Sequence, residues 1–234
     1  PLKDGVDYLS EYMAKDPVPT LVVSDYHAKG SAAVFRALEY GAFDYIQKPS
    51  ITDLQEFGRD MRAKITAAYK NRKSNLLQIL QKAGNIGSST NLNTLCLERS
   101  ILAIGSSTGG TEVLKVILKN LPNQFPPLLI VQHMAVEFTK EFAKLLATTT
   151  GRMVKEAEPG EVLRPQTIYL APGGRQMGVK SEGTMVKIEI SDEGPINKCR
   201  PSIDYLFHSL RSVKDRKIVA ALLTGMGSDG ARGL

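Results

Sequence analysis

The sequence predicts an α/β protein built on parallel sheets. Three observations carry that expectation. Short apolar runs such as "TLVVS", "LLIVQ" and "IVAALL" are bounded by turn residues, as in strands buried on both faces. Longer segments between them place apolar residues at helical spacing. Strand and helix then alternate along the chain, which is the signature of crossover connections.

The elements follow in order. Residues 5–15 form a helix with Val6, Leu9 and Met13 on one face, and "PTLVVS" is a strand. "SAAVFRALEYGA" is a helix stopped by Gly41, and "FDYIQKPS" is a strand ended at Lys48-Pro49. Residues 53–71 form a helix with Leu54, Phe57, Met61, Ile65 and Ala68 on one face. Residues 73–99 include the polar, aperiodic "NIGSSTNLNT" and read as a helical extension and then a linker.

A second α/β unit follows. "LCLERSILAIG" ends in a strand, and "TEVLKVILKNLP" is a helix with Val113, Leu114, Ile117 and Leu121 inward. "PPLLIVQHM" is a strand, and the next helix is ended by Gly151. "TIYLAPGG" and "MVKIEISD" are expected to be neighbouring strands joined through "KSEGT". "PSIDYLFHSLRSV" is a helix with Pro201 in its first turn, and "KIVAALLTG" is the last strand. Only "ARGL" remains of the helix expected next, and the first unit is too small for a whole doubly wound domain. The chain is therefore expected to be cut inside a domain at both ends, and to be poorly stable and weakly active as it stands.

Composition narrows the class. The 234 residues are 42% hydrophobic and 23% charged, as in globular proteins, with room for two ordinary domains. No apolar run approaches the ~20 residues of a membrane span. The opening "PLKDGVDYL" lacks a secretory signal. Two cysteines, Cys96 and Cys199, cannot build a disulfide framework, so a reducing cytoplasm is expected and both read as buried or half-exposed thiols. Net charge is +6, with the basic excess densest over residues 53–99. A basic helix can contact nucleic acid or anionic membrane, but a solvated surface is the preferred reading.

Parallel sheets put their functional groups at the carboxyl ends of strands. "LAIGSSTGG", "LLIVQHM" and "ALLTGMGSDG" offer a serine, a histidine and an aspartate there. Those are the groups of acyl transfer: a hydroxyl to attack, an imidazole to take its proton, a carboxylate to orient the imidazole. Gly105-Ser106-Ser107-Thr108-Gly109 fits the G-x-S-x-G nucleophile elbow, whose centre is Ser107. Ser106 is then a spacer that need only be small. The helix expected near Gly110 turns free N–H groups toward this point, and the N–H of Thr108 is the natural oxyanion donor. On the motif alone, a phosphate loop or a plain turn stays open, although neither phosphate-loop glycine pattern is matched.

His133 follows directly on an apolar strand, whereas His27 lies in the first unit and His208 suits a half-buried structural place within a helix. Among the acids, Asp204 suits a capping or surface role, Asp215 lies in the polar "KDRK", and Asp192 closes a peripheral strand. Asp229 lies in "GMGSDG", where Gly225, Gly227 and Gly230 allow a close bend. The order Ser, His, Asp differs from that of the α/β-hydrolases. No Cys/His cluster has metal-ligand spacing, so no metal is expected.

Along nearly its whole length the chain resembles the chemotaxis response-regulator protein-glutamate methylesterases, the CheB family. "AIGSSTGGTE", "QHM", "KEAEPGE", "YLAPGG", "RPSIDYLFHS" and "LTGMGSDGARG" resemble that family's blocks in its order. The resemblance implies a triad of Ser107, His133 and Asp229, with Thr108 and Met226 around the oxyanion. Residues 1–72 resemble the C-terminal half of a flavodoxin-like receiver domain, with Ser24 as switch hydroxyl, Tyr45 as switch aromatic and Lys48 as its lysine. The phosphorylated aspartate would precede Pro1. Residues 73–99 would be a linker, and 100–234 a doubly wound catalytic domain, C-terminally incomplete and extended by a hairpin. Cys199 and Gln176 stand where the family commonly has histidine. The implied activity is hydrolysis of glutamyl methyl esters, and deamidation of glutamines, on methyl-accepting chemoreceptors. A chemotaxis histidine kinase would be phosphodonor, and magnesium would serve phosphorylation of an intact receiver. No nucleic acid and no membrane insertion are implied. Two other classes remain: a regulated DNA-binding protein, and an anion-binding module using "GSSTGG".

Overall fold

The computed structural model describes residues 4–24, 28–49, 53–71 and 97–234. The chain divides into two compact units, one holding the described residues up to Asn71 and the other those from Leu97, apart from Thr111–Val113. The linker expected over 73–99 lies almost wholly outside the described residues, as does His27.

The first unit runs α1 (Gly5–Lys15), β1 (Leu21–Ser24), α2 (Ala28–Glu39), β2 (Asp44–Gln47) and α3 (Leu54–Asn71). Asp4 caps α1 by accepting from the Val6 N–H. The two strands pair in parallel, Leu21 with Asp44 through Ser24 with Gln47. Lys64 of α3 crosses onto β2, donating to the Tyr45 carbonyl at 2.7 Å and the Asp44 carboxylate at 3.2 Å. The apolar face of α3 is only partly covered: Ala68 is buried, whereas Leu54 is 58% exposed and Ile65 52%. Periodicity gives a helix its apolar stripe but not the width of the surface that covers it.

The second unit is a sheet of five parallel strands in the order β5-β6-β4-β3-β9. These are β3 (Ser100–Ser106), β4 (Leu128–Gln132), β5 (Met153–Glu156), β6 (Thr167–Leu170) and β9 (Lys217–Leu222). Helices α4 (Gly110–Lys119) and α5 (Val136–Thr150) follow β3 and β4, and α5 ends at Gly151 in the left-handed region. Within α4, Leu118 is fully buried and Ile117 half-buried rather than core, and Leu121, also half-buried, lies beyond the helix end.

An antiparallel hairpin, β7 (Gln176–Glu182) with β8 (Met185–Ser191), and helix α6 (Ile203–Ser209) lie over one sheet face. There Ile101, Ala103, Leu129, Val131 and Tyr169 meet Met177, Val179, Ile188, Leu206 and Phe207 in one core. Leu128 and Ile130, of opposite strand parity, are equally buried, as a sheet covered on both faces requires. This doubly wound parallel architecture bears out the expected fold class.

Two expectations are corrected. The partner of "MVKIEIS" is β7, not "TIYL", which instead sits between β4 and β5 in the parallel sheet. Pro201 does not open α6; Ser202 is its cap, and the Arg200-Pro201 bond before it is cis. Among the described residues, no helix is long and apolar enough to cross a membrane.

Candidate active site

The register of three strands builds the site. Gly105 pairs with Val131 on β4 and Leu222 on β9, so the residues that follow emerge side by side at the carboxyl edge. Backbone bonds carry the alignment past the strand ends: His133 N donates to Ser106 O at 3.1 Å, and Ser107 N to Thr224 O at 2.9 Å. This is the switch point, where β3 has one neighbour reached forward in the chain and another that returns from its far end.

Gly105 and Gly225 make the close approach possible. A Cβ on Gly105 would lie 2.2 Å from Ile203 Cγ2, and one on Gly225 would lie 2.8 Å from Ser107 Cβ. The first keeps β3 tight under α6. The second lets the loop after β9 lie against Ser107.

Asp229 is 7% exposed, and both its oxygens are engaged. Oδ2 accepts from the Ile203 N–H at 2.7 Å and lies 2.8 Å from His133 Nε2. Oδ1 accepts from Ser202 Oγ at 2.7 Å and Asn197 Nδ2 at 3.1 Å. The carboxylate thus sits at the amino end of α6, where free N–H groups favour an anion. Burial opposes its charge, but the bonds from His133, Ser202, Asn197 and Ile203 overcome that and hold its pKa well below the usual carboxylate range. Burial likewise acts to lower the pKa of His133. The hydrogen bonds and charges of Asp229 and Cys199 outweigh it, and the imidazole is raised to about 9.

With Nε2 taken by Asp229, Nδ1 is the ring atom left to serve a nucleophile. Cys199 Sγ lies 3.7 Å from it. Among the described residues, no hydrogen bond joins Ser107 Oγ to the ring. In an enzyme without substrate such contacts are often long and tighten when the substrate binds.

Ser107 is half-buried, in the first position beyond β3. Thr108 is buried, its carbonyl accepts from Thr224 Oγ1 at 2.7 Å, and its N–H has no partner among the described residues. Met226 is half-buried in the loop between β9 and Asp229.

Sequence reasoning missed Gln132. It is 3% exposed, accepts from Ser106 Oγ, and donates to the carbonyls of Ser107 at 3.0 Å and His133 at 3.3 Å. Ser106 is therefore a bonded member of the site, not a spacer. The available signal was a polar residue closing an otherwise apolar strand, next to the histidine.

Asp204 is likewise corrected: it is 2% exposed and accepts from the N–H groups of Arg232 and Gly233 and from Asn197 Nδ2. His208 is exposed rather than half-buried, and Asp192 is an exposed partner of Arg175.

His133, Cys199 and Asp229 each bring a ligand atom to within 4.8 Å of the others. A soft divalent ion could span that distance, but Asp229 already has both oxygens hydrogen-bonded. In the first unit, Ser24 and Lys48 come to adjacent strand ends, where Lys48 N donates to Ser24 O at 3.0 Å, and Tyr45 is buried on β2. Among its described residues no cluster of carboxylates gathers there.

The family model described as CheB methylesterase matches residues 102–234. Relatives named protein-glutamate methylesterase/protein-glutamine glutaminase from Salmonella typhi and Rhizobium etli are 38% and 39% identical to the whole of this chain. The chain spans 66% of the length of each. The crystal structure of the Thermotoga maritima CheB methylesterase catalytic domain is 41% identical, with a TM-score of 0.55 over 57% of this chain and 71% of that one. The chain belongs to the CheB methylesterase family.

Proposed function

We propose that this chain carries a serine esterase site that hydrolyses glutamyl methyl esters, and deamidates glutamines, on methyl-accepting chemoreceptors. The observation that carries the chemistry is the 2.8 Å contact between His133 Nε2 and Asp229, at the strand edge where Ser107 emerges. Family membership and the names of the relatives support the substrate.

Ser107 Oγ attacks the ester carbonyl while His133 Nδ1 takes its proton. The same proton passes to the departing methoxide, leaving an acyl-serine. For a glutamine the leaving group is ammonia. Water, deprotonated by Nδ1, then releases glutamate. Asp229 fixes the ring and stabilises the imidazolium that forms. The unpartnered N–H of Thr108 stabilises the oxyanion, with Met226 beside it.

The parallel β1–β2 pair supports reading the first unit as the second half of a receiver domain, with Ser24, Tyr45 and Lys48 as its switch residues. Phosphorylation by a chemotaxis histidine kinase would then regulate the cytoplasmic enzyme.

Methanol release from methylated receptor tests the reading. The protein should liberate methanol, and Ser107→Ala should not. Methanol release that survives Ser107→Ala would refute it.

A further inference from the structure

His133 has two ring nitrogens and three groups that claim them. Asp229 holds Nε2, and Cys199 Sγ lies 3.7 Å from Nδ1, the nitrogen that hydrolysis assigns to Ser107. The sulfur is placed by a built loop. Ile196 and Cys199 exchange two backbone bonds, of 3.1 and 2.8 Å, and Asn197 between them donates to both Asp204 and Asp229. Cys199 is a free cysteine and only half-buried, so small reagents can reach it. Thiol, imidazole and carboxylate therefore stand in series. The imidazole is a proton relay for either nucleophile, but for one at a time.

We propose that Cys199 is a modification site for hydroperoxides, and that its oxidation closes the hydrolytic site. The inference rests on the reading of Ser107 as the nucleophile. Sulfur attacks the terminal oxygen of the peroxide, an S–O bond forms and the O–O bond breaks. Sulfur is oxidised by two electrons and the peroxide is reduced to an alcohol, or to water from hydrogen peroxide. The thiol proton reaches the departing oxygen through His133 Nδ1. The resulting sulfenic acid sets its O–H against Nδ1, which can then no longer take the Ser107 proton. A small thiol reverses the change: it condenses with the sulfenic acid, releasing water and leaving a mixed disulfide. A second thiol removes the first as a disulfide and restores Cys199.

The test treats the full chain with hydrogen peroxide and traps sulfenic acid with dimedone. The Cys199 peptide is read by mass spectrometry beside the rate of fluorophosphonate labelling at Ser107. The expected result is a dimedone adduct on Cys199, a fall of ~10-fold or more in Ser107 labelling, and recovery with dithiothreitol. Cys199→Ala should keep its own pre-treatment labelling rate after peroxide, and His133→Gln should slow adduct formation ~10-fold. A Ser107 that labels while Cys199 stays unmodified would overturn this inference alone, as would equal peroxide inactivation of Cys199→Ala. A Ser107 that never labels would overturn the hydrolase reading and this inference with it.

Discussion

His133 Nε2 and Asp229 Oδ2 lie 2.8 Å apart although 96 residues separate them, and the carboxylate is held by the first turn of a helix to which it does not belong. The ring is thereby oriented with Nδ1 outward. Asp229→Asn keeps the shape but not the acceptors, because an amide cannot accept from Ser202, Ile203 and the ring together. Turnover should fall on the order of 10³–10⁴-fold with little change in KM. Steady-state methanol release checks this, and a loss under tenfold would contradict it.

The raised pKa of His133 sets a pH dependence. The base must be neutral, so kcat/KM should rise with pH and level off above about 9. Cys199→Ala removes two of the causes that raise the value, and its alkaline limb should move to lower pH. Stability has the opposite sign. His133 is raised above its ordinary 6.5, so its contribution is full below pH 6.5 and is lost as pH rises through about 9. Asp229 is depressed, so its contribution is present above its ordinary 3.8 and is lost as pH falls through its lower folded value. Urea midpoints across pH should fall on the alkaline side over that window.

Gln132 ties three strand-end groups together. Gln132→Leu removes the acceptor of buried Ser106 Oγ and the donor to Ser107 O. Stability should drop by about 1–3 kcal/mol for the unpaired buried group. Turnover should fall ~10-fold or more as Ser107 loses its fixed place. Denaturant unfolding and kinetics measured on one preparation separate the two effects.

Asp204 makes no contact with the ring yet anchors the segment after Asp229. Asp204→Ala leaves the Arg232 and Gly233 N–H groups without their acceptor, at a cost of about 1–3 kcal/mol for each that stays buried. Melting temperature should fall clearly. The alkaline limb of the pH profile should move less than in Cys199→Ala, since Asp204 reaches His133 only through Asn197, which keeps its bond to Asp229.

Much of this was legible because buried parallel strands are nearly continuous apolar runs, and "LLIVQ" could be little else. "IVAALL" was legible as a strand but not as the edge of the sheet, where Val219 is 43% exposed and Leu222 37%. The hairpin partner was not legible, because β7 ends in the polar "KSE" and resembles loop. Met153–Glu156 was missed for the same reason, being short and mixed. Leu54 and Ile65 show that a helical stripe does not say how much of it is covered. At the site, residue type and strand position were enough to single out Ser107, His133 and Asp229 as groups that meet at one strand edge. The roles of Gln132, Asn197, Ser202 and Cys199, and which ring nitrogen faces the carboxylate, depend on register between distant segments. A single sequence carries no record of that.

The most direct test of the central claim is covalent labelling with a fluorophosphonate, read by peptide mass spectrometry. The account predicts one label, on Ser107, abolished in Ser107→Ala and slowed ~10²-fold or more in His133→Ala. Label on Ser106, or labelling undiminished in His133→Ala, would contradict it.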